Sequence, residues 1–584
     1  VVRLGNVAYA TRVTAGDGET PDDPCVYAKA FAESYRVERV NYLAANDPIY
    51  LGQLQDGLGG ILEGGGFVYV DDDWLYTGGN SSSLLWNSSQ GCTFFNRFTL
   101  AMPYAVESSV VEAVNIYDSV LTKQYAFNGN VYDLKRYGDY VVAAVGNKGL
   151  QIFHKDKPEL RASIVFDKTL KTTQGSAEKL RILGNLLFVS LRSGFAVVDI
   201  SKPMEPYIVN AGNANLTFGL DFYKDRLISA AGFGGVFVFE FPGAFVASTS
   251  HKEGGYLADG ETYTVTFNEL IYDDSLRQPG AVSVTRTDTS EEVAFTLTAK
   301  DLTEENSAQT YAIDFVRETG VEYEISVTDL RNLRSGSMWR AFAGRVKAAS
   351  LGSLRPSITS VEGGAFHRGA DGQVVVNGSG FRSDSSLVIY IDNYKLTSEN
   401  FTVVNENTIT ISTTAIEALG LAIGEHHIRV VDSELWSGYP GAIIIGENLD
   451  LVKFELSDTT GLTKGGKYIN ITSNANAIFP GAKVVMYPRD TELPTIRTTE
   501  TSPNEFNPNL FENVFSLSSM RFTLPYVEDP GLYKIFIDIN GKEIFVGDFS
   551  YTIESGGSID LPNYPPMEIG AAVTIDDTIY IGVK

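Results

Sequence analysis

Apolar positions in this chain alternate or run in short blocks, and they do not recur at helical spacing. Residues Tyr137-Gly138-Asp139-Tyr140-Val141-Val142-Ala143-Ala144 lead to Gly149-Leu150-Gln151-Ile152-Phe153 and then Lys157-Pro158. Residues Leu183-Gly184-Asn185-Leu186-Leu187-Phe188-Val189-Ser190 lead to Gly194-Phe195-Ala196-Val197-Val198-Asp199-Ile200-Ser201 and then Lys202-Pro203. Each unit is a polar turn dipeptide between β-branched or aromatic runs, the pattern of a hairpin, followed by another apolar strand. Pro158 and Pro203 are 45 residues apart.

Gly5-Asn6-Val7-Ala8-Tyr9-Ala10-Thr11, Asp72-Asp73-Trp74-Leu75-Tyr76-Thr77-Gly78 and Lys224-Asp225-Arg226-Leu227-Ile228-Ser229-Ala230 fit the same template. The period and the strand count predict the blades of a β-propeller. About five units occupy residues 1–246. Asp576-Asp577-Thr578-Ile579-Tyr580-Ile581 repeats the motif near the end, so residues 556–584 are expected to return to the propeller as a partial blade. Blade-like sequence at both ends predicts a piece of a longer or processed polypeptide.

The pattern changes at residue 247. Alternating strands at sandwich spacing fill 247–350, beginning at Asp259-Gly260-Glu261-Thr262-Tyr263-Thr264-Val265-Thr266-Phe267. Similar strands fill 351–447 and 448–555. The expected fold class is all-β: a propeller interrupted by three inserted Ig-like sandwiches. Because domain termini usually lie close together, such an insertion is feasible.

Two families resemble these segments. The blades, through Gly149-Leu150-Gln151-Ile152-Phe153 and Phe195-Ala196-Val197-Val198-Asp199-Ile200-Ser201-Lys202-Pro203, resemble the bacterial LVIVD repeat of secreted and surface proteins. The second sandwich resembles the IPT/TIG domain. It does so through Pro356-Ser357-Ile358-Thr359-Ser360-Val361, Val374-Val375-Val376-Asn377-Gly378-Ser379-Gly380-Phe381 and Val403-Val404-Asn405-Glu406-Asn407-Thr408-Ile409-Thr410-Ile411. The third sandwich is similar through Gly465-Gly466-Lys467-Tyr468-Ile469-Asn470-Ile471. These resemblances imply a modular extracellular or cell-surface protein of a kind mostly without enzymatic activity.

Composition narrows the function. The 584 residues carry 46 basic and 72 acidic side chains, a net charge of −26. Nucleic-acid binding needs a basic footprint, so it is not expected. No run approaches the apolar length of a membrane span. Hydrophobic residues make up 43% of the chain, which suffices for several packed cores.

The two cysteines exclude a disulfide scaffold. Tyr9 to Tyr76 and Cys25 to Cys92 are both 67 residues apart. Cys25 and Cys92 therefore occupy equivalent loops of neighbouring units. A disulfide between them is expected, and with it an oxidising compartment; two free thiols are the alternative.

Candidate chemistry is sparse. Asp17, Glu19, Asp22 and Asp23 form an acidic Gly/Pro-rich loop with hard oxygen ligands, a candidate calcium site without EF-hand spacing. Gly461-Leu462-Thr463-Lys464-Gly465-Gly466-Lys467 begins like a phosphate loop, but Tyr468 replaces the required Ser or Thr and a strand follows. His154, His251, His367, His426 and His427 match no metalloprotease pattern, and a strand points the adjacent His426 and His427 to opposite faces. Sequons begin at Asn80, Asn87, Asn215, Asn377, Asn400 and Asn470.

No catalytic residue or cofactor is expected. The leading expectation is a structural or adhesion protein that meets protein or glycan at the cell surface and self-associates into a filament or layer. A carbohydrate-binding or carbohydrate-processing enzyme and a toxin or phage-tail component are the alternatives.

Overall fold

The structure is a computed structural model. It describes residues 2–583 apart from 14–34, 45–46, 54–66, 72, 79–108, 119–120, 167–174, 192, 214–216, 218, 224–225, 232–234, 329, 332–335, 337, 384–386, 480–481, 490–494, 498–515, 529, 540, 554–568 and 576–577. The fold is all-β. Its only helices among the described residues are the single turns Asp273–Leu276 and Thr413–Glu417. The chain forms two compact units. One holds residues 1–452, 475–480 and 507–517, and the other holds 453–474, 481–506 and 518–584.

The first unit opens with five antiparallel sheets, each meandering in chain order. Sheet one contains Val2–Leu4, Val7–Val13, Tyr35–Ala44 and Asp47–Gln53. Sheet two contains Val68–Asp71, Trp74–Gly78, Ser109–Asn115 and Thr122–Phe127. Sheet three contains Asp133–Tyr137, Tyr140–Ala144, Leu150–His154 and Lys157–Ile164. Sheet four contains Ala177–Leu183, Leu186–Leu191, Gly194–Asp199 and Tyr207–Asn213. Sheet five has three strands, Gly219–Tyr223, Arg226–Ala230 and Val236–Glu240.

The sheets stack face to face in sequence order, which explains their continuous apolar runs. A strand with both faces buried has no solvent side to mark. Val141, Ala143 and Phe153 pack towards sheet two, against Tyr76, Tyr125 and Phe127. Their neighbours Val142 and Ile152 pack the other way, against Leu180, Leu187 and Val189 of sheet four. Phe188, Phe195 and Val197 continue the stack onto Leu220 and Leu227 of sheet five. Each such fully buried side chain stabilises the fold by about 1.5–3 kcal/mol.

First strands of successive sheets lie side by side. Polar bonds stitch them together. The Arg136 amide donates to Tyr69 Oη at 3.2 Å, and the Leu180 amide donates to Asp133 Oδ2 at 2.9 Å. Arg181 pairs with Asp221 at 3.3 Å.

Two sandwiches complete the first unit. In one, Val246–Thr249, Tyr263–Tyr272, Ser307–Phe315 and Phe295–Lys300 face Gly255–Leu257, Phe342–Ala348, Glu322–Val327 and Val282–Arg286. In the next, Ser357–Glu362, Gln373–Ser379, Thr408–Ser412 and Phe401–Asn405 face Ala365–His367, Leu435–Gly446, Gly424–Asp432, Leu387–Ile391 and Tyr394–Leu396.

The second unit contains a third pair of sheets and the two-stranded hairpin Ile569–Ile575 with Thr578–Val583. One topological device is common to all three sandwiches. A short early strand crosses to the second sheet and pairs in parallel with the last strand. Gly255–Leu257 does this on Phe342–Ala348, Ala365–His367 on Leu435–Gly446, and Thr460–Leu462 on Lys542–Thr552.

Candidate functional site

The repeated hairpin turn decides which end of the five-sheet stack is free. Sheets one, three and four turn through Gly5-Asn6, Gly138-Asp139 and Gly184-Asn185. The glycines have φ of 55°, 58° and 54°. A two-residue hairpin loop with Gly at its first position needs this left-handed backbone. In sheet two Asp73 stands at the same place, between the paired Asp71 and Trp74.

In sheets two, three and four the end of the third strand clasps this turn. The amides of Ile116, Lys155 and Ile200 donate to the carbonyls of Asp73, Asp139 and Asn185, at 2.7, 2.7 and 2.9 Å. Side chains reinforce the clasp. Asn115 donates to Asp73 at 2.9 Å, Lys155 pairs with Asp139 at 2.8 Å, and Asn185 donates to Asp199 at 3.4 Å. Asn115 Oδ1 accepts the Tyr117 amide and Asp199 Oδ1 the Ser201 amide, both at 2.9 Å. This is one Asx turn used twice.

All four turns rest on the sandwiches. A Cβ on Gly5 would sit 2.7 Å from Pro440 O, and one on Gly184 would sit 2.3 Å from Val246 O. Gly138 abuts Glu253, and Lys252 pairs with Asp71 at 2.7 Å. Asn6 donates to Gly441 O at 3.3 Å and accepts from Tyr439 Oη at 3.3 Å. Arg429 anchors the seam. Its guanidinium lies 5.4, 5.2 and 5.9 Å from the rings of Tyr117, Tyr390 and Trp436. Its Nε is buried without a hydrogen-bond partner, so the rings supply its main electrostatic contact.

Among the described residues, none of these contacts lies at the opposite rim. Strand ends Val13 and Tyr35, and Gly78 and Ser109, lie at that rim, because each strand runs away from its first-hairpin turn. Asp17, Glu19, Asp22, Asp23, Cys25 and Cys92 fall in the sequence between those strand ends. All six residues lie outside the described residues, as do Asn80, Asn87 and Asn215.

At the far end of the stack, Val236, Val238 and Tyr223 of sheet five are 67%, 53% and 62% exposed. Val236–Glu240 is an edge strand among the described residues. Thus the fifth sheet presents a part-apolar outer face, while sheets two, three and four are packed on both faces.

The histidines serve packing. His367 Nε2 donates to Ala477 O at 2.7 Å, and its ring lies 4.2 Å from that of Phe479. His154 stands edge-on to Tyr140, and His251 pairs with Glu261 at 3.0 Å. His427 accepts the Gly441 amide at 2.9 Å and stands edge-on to Tyr117.

His426 differs from the rest. Nδ1 lies 2.7 Å from Asp392 Oδ2 and Nε2 lies 2.9 Å from Ala422 O, so both nitrogens face acceptors. Burial is the largest single influence and opposes the charge, but the Asp392 hydrogen bond and charge, the Ala422 carbonyl and the Glu425 charge together outweigh it and raise the imidazole pKa. Burial likewise pushes the Asp392 carboxyl up most strongly, and the His426 hydrogen bond, the charges of His427 and His426 and the His427 amide together hold it below its usual range. Asp392 also accepts the His427 amide at 2.8 Å.

The other sequence candidates resolve into structure. Gly465 and Gly466 have φ of 66° and 80° and turn directly into the strand Tyr468–Ser473. No helix follows to cradle a phosphate. Asn377 donates to Glu362 at 2.9 Å, and Asn470 accepts from Arg521 at 3.0 Å. Among the described residues no three His, Cys, Asp or Glu side chains form a metal-sized cluster, and no helix is long and apolar enough to cross a membrane. Sequence reasoning missed the Arg429 seam, which has no local signal. It also missed the clasp, which Val114-Asn115-Ile116 and Val198-Asp199-Ile200 do display.

Residues 356–442 match the family model described as the IPT/TIG domain. The second sandwich is an IPT/TIG domain. Its strand Leu435–Gly446 therefore carries the seat for sheet one, through Tyr439, Pro440 and Gly441. No curated protein matches the chain.

Among solved structures, the chain is similar to the computationally designed Ika8 protein. The likeness has 12% identity and a TM-score of 0.22, over 35% of this chain and 55% of that one. A stretch of titin domains aligns at 8% identity and a TM-score of 0.19, over 53% of this chain and 97% of that one. The N-terminal part of the bacterial S-layer protein SbsC aligns at 14% identity and a TM-score of 0.17, over 35% of this chain and 44% of that one. The chain thus spans about half of the designed protein and less of the S-layer segment. These scores are too low for an argument about fold or function to rest on them.

Proposed function

We propose that this chain is a non-catalytic structural or adhesion protein of the cell surface, which assembles with further copies of itself. In this reading the five sheets are LVIVD-type propeller blades. The hairpin Ile569–Val583 is a further blade of the same repeat, and the IPT/TIG domain and its sandwich neighbours form the stalk. The observation that carries the reading is the asymmetry of the two rims. The first-hairpin turns of sheets one to four rest on the sandwiches, and in this reading the opposite rim is the one that meets a partner. The edge strand Val236–Glu240, with Val236 and Val238 exposed, adds a pairing surface for self-association.

Calcium held by Asp17, Glu19, Asp22 and Asp23, and the Cys25–Cys92 bridge, belong to the same proposal, because both would stiffen the free rim. A glycan array read for both retention and cleavage tests the non-catalytic claim. Retention of protein or glycan without product release is expected. Turnover of any retained glycan would assign the chain to the carbohydrate-processing class instead.

A further inference from the structure

A cleft of about 450 Å³ opens at the outer end of the interface between sheets two and three. It is lined by Asn128, Lys148, Gln151, Phe153, Arg161 and Ser163, with Val165 as its apolar side. The volume falls within the roughly 300–1,000 Å³ of small-ligand sites. The cleft sits at the free rim, since Lys148 lies in the turn between the second and third strands of sheet three.

Its polar groups are held in place. Lys148 belongs to a tight turn in which its own amide donates to Val145 O at 2.9 Å and the Val145 amide donates to Gly149 O at 2.7 Å. Gly149 has φ of 76°, and a Cβ there would lie 1.9 Å from Ile164 O, so the turn is pressed onto the outer strand. The Lys148 stem lies against Gly129, where a Cβ would come within 3.1 Å of its Cγ. The Arg161 guanidinium is stacked 5.4 Å from the Phe153 ring. The Gln151 amide is oriented by a reciprocal pair of 3.2 Å bonds with the Asn128 backbone.

In a chain of net charge −26, this cleft holds two cations and no carboxylate in its lining. Neither cation has a carboxylate partner among the described residues. A fork-shaped guanidinium and an ammonium suit a carboxylate or sulfate group. The second hydrogen of the Gln151 amide, the Asn128 amide and the Ser163 hydroxyl suit sugar hydroxyls. Val165, 58% exposed, offers an apolar surface to the C–H face of a ring.

We propose that this cleft binds an acidic saccharide, with Arg161 and Lys148 on the anionic group and Gln151, Asn128 and Ser163 on the hydroxyls. The site goes beyond the non-catalytic reading above and rests on the cleft geometry alone.

The test is calorimetry on the full chain with three probes: a trimer of galacturonic acid, the neutral trimer of galactose, and inorganic sulfate. The acidic trimer should bind at least tenfold more tightly than either of the others. Its affinity should fall at least tenfold in K148Q/R161Q. Both side chains are exposed, so the thermal melting and the light-scattering mass of this variant should match those of the unaltered chain; a shift in either would move the comparison to R161K, which keeps the charge and loses the fork. No binding of the acidic trimer, equal binding of the neutral trimer or of sulfate, or unchanged affinity in both variants would each overturn the proposal. None of these outcomes touches the assembly reading, which is measured separately by the scattering mass.

Discussion

Two residue-scale contacts hold the IPT/TIG domain to itself and to the sheets. The His426–Asp392 pair sets a pH dependence. His426 has its folded-state pKa raised above the ordinary 6.5, so its contribution is full below pH 6.5 and is lost as pH rises through the raised value. Asp392 is lowered below the ordinary 3.8, so its contribution is full above pH 3.8 and is lost as pH falls through the lowered value. The pair is therefore strongest between pH 3.8 and 6.5. Thermal melting of the full chain should show a transition that weakens from pH 6.5 towards pH 9. Asp392→Asn should flatten this slope and cost about 1–3 kcal/mol at pH 6, as loss of a buried charged partner does. An identical slope in the variant would remove the pair from the account.

At the seam, Tyr117 is 2% exposed and packs edge-on against Trp436 and His427 while covering Arg429. Tyr117→Ala should cost about 3–5 kcal/mol, in the range of buried aromatic truncations. Hydrogen exchange should rise together in Leu435–Gly446 and in sheets one and two. A rise in sheet two alone would mean that the seam does not couple the sheets to the IPT/TIG domain.

Elements were legible where chemistry is local. Hairpin turns at Gly138-Asp139 and Gly184-Asn185 could be read because only a few residue types tolerate that backbone. Strands such as Tyr140–Ala144 could be read from a run too short for a helix and rich in β-branched residues. The IPT/TIG domain was legible through Asn377-Gly378-Ser379-Gly380-Phe381. There a Cβ on Gly378 would lie 1.8 Å from Ser357 O, and Gly380 has φ of 72°, so the motif marks enforced backbone contacts.

What joins elements was not legible. Arg429 meets Tyr117 across more than 300 positions, and no periodicity records such a pair. The cleft residues Lys148 and Arg161 are spaced by a turn and a strand, and they converge only when the strands pair.

The clasp yields an element-scale prediction. Asp199 accepts from the Ser201 amide and hydroxyl, Tyr207 and Asn185. Asp199→Ala leaves these donors unsatisfied and should destabilise the stack by about 3 kcal/mol or more. Asp199→Asn, the residue that sheet two uses at Asn115, should recover most of the loss in denaturant melting. Equal destabilisation by both would show that the Asx turn is not the common device of the sheets.

At the scale of the whole molecule, sheets one to four are fixed along one rim to the two sandwiches of the first unit, and the fifth sheet ends in an exposed edge strand among the described residues. Exposed edges and part-apolar sheet faces favour pairing with other chains. Charging the edge should weaken that pairing, so Val236→Lys with Val238→Lys is expected to lower the assembled mass without changing the melting of the stack. The most direct measurement of the central claim is multi-angle light scattering of the full chain over a wide concentration range, with and without calcium. The account predicts a mass that grows with concentration beyond that of one chain. A monodisperse single-chain mass at high concentration under both conditions would contradict it.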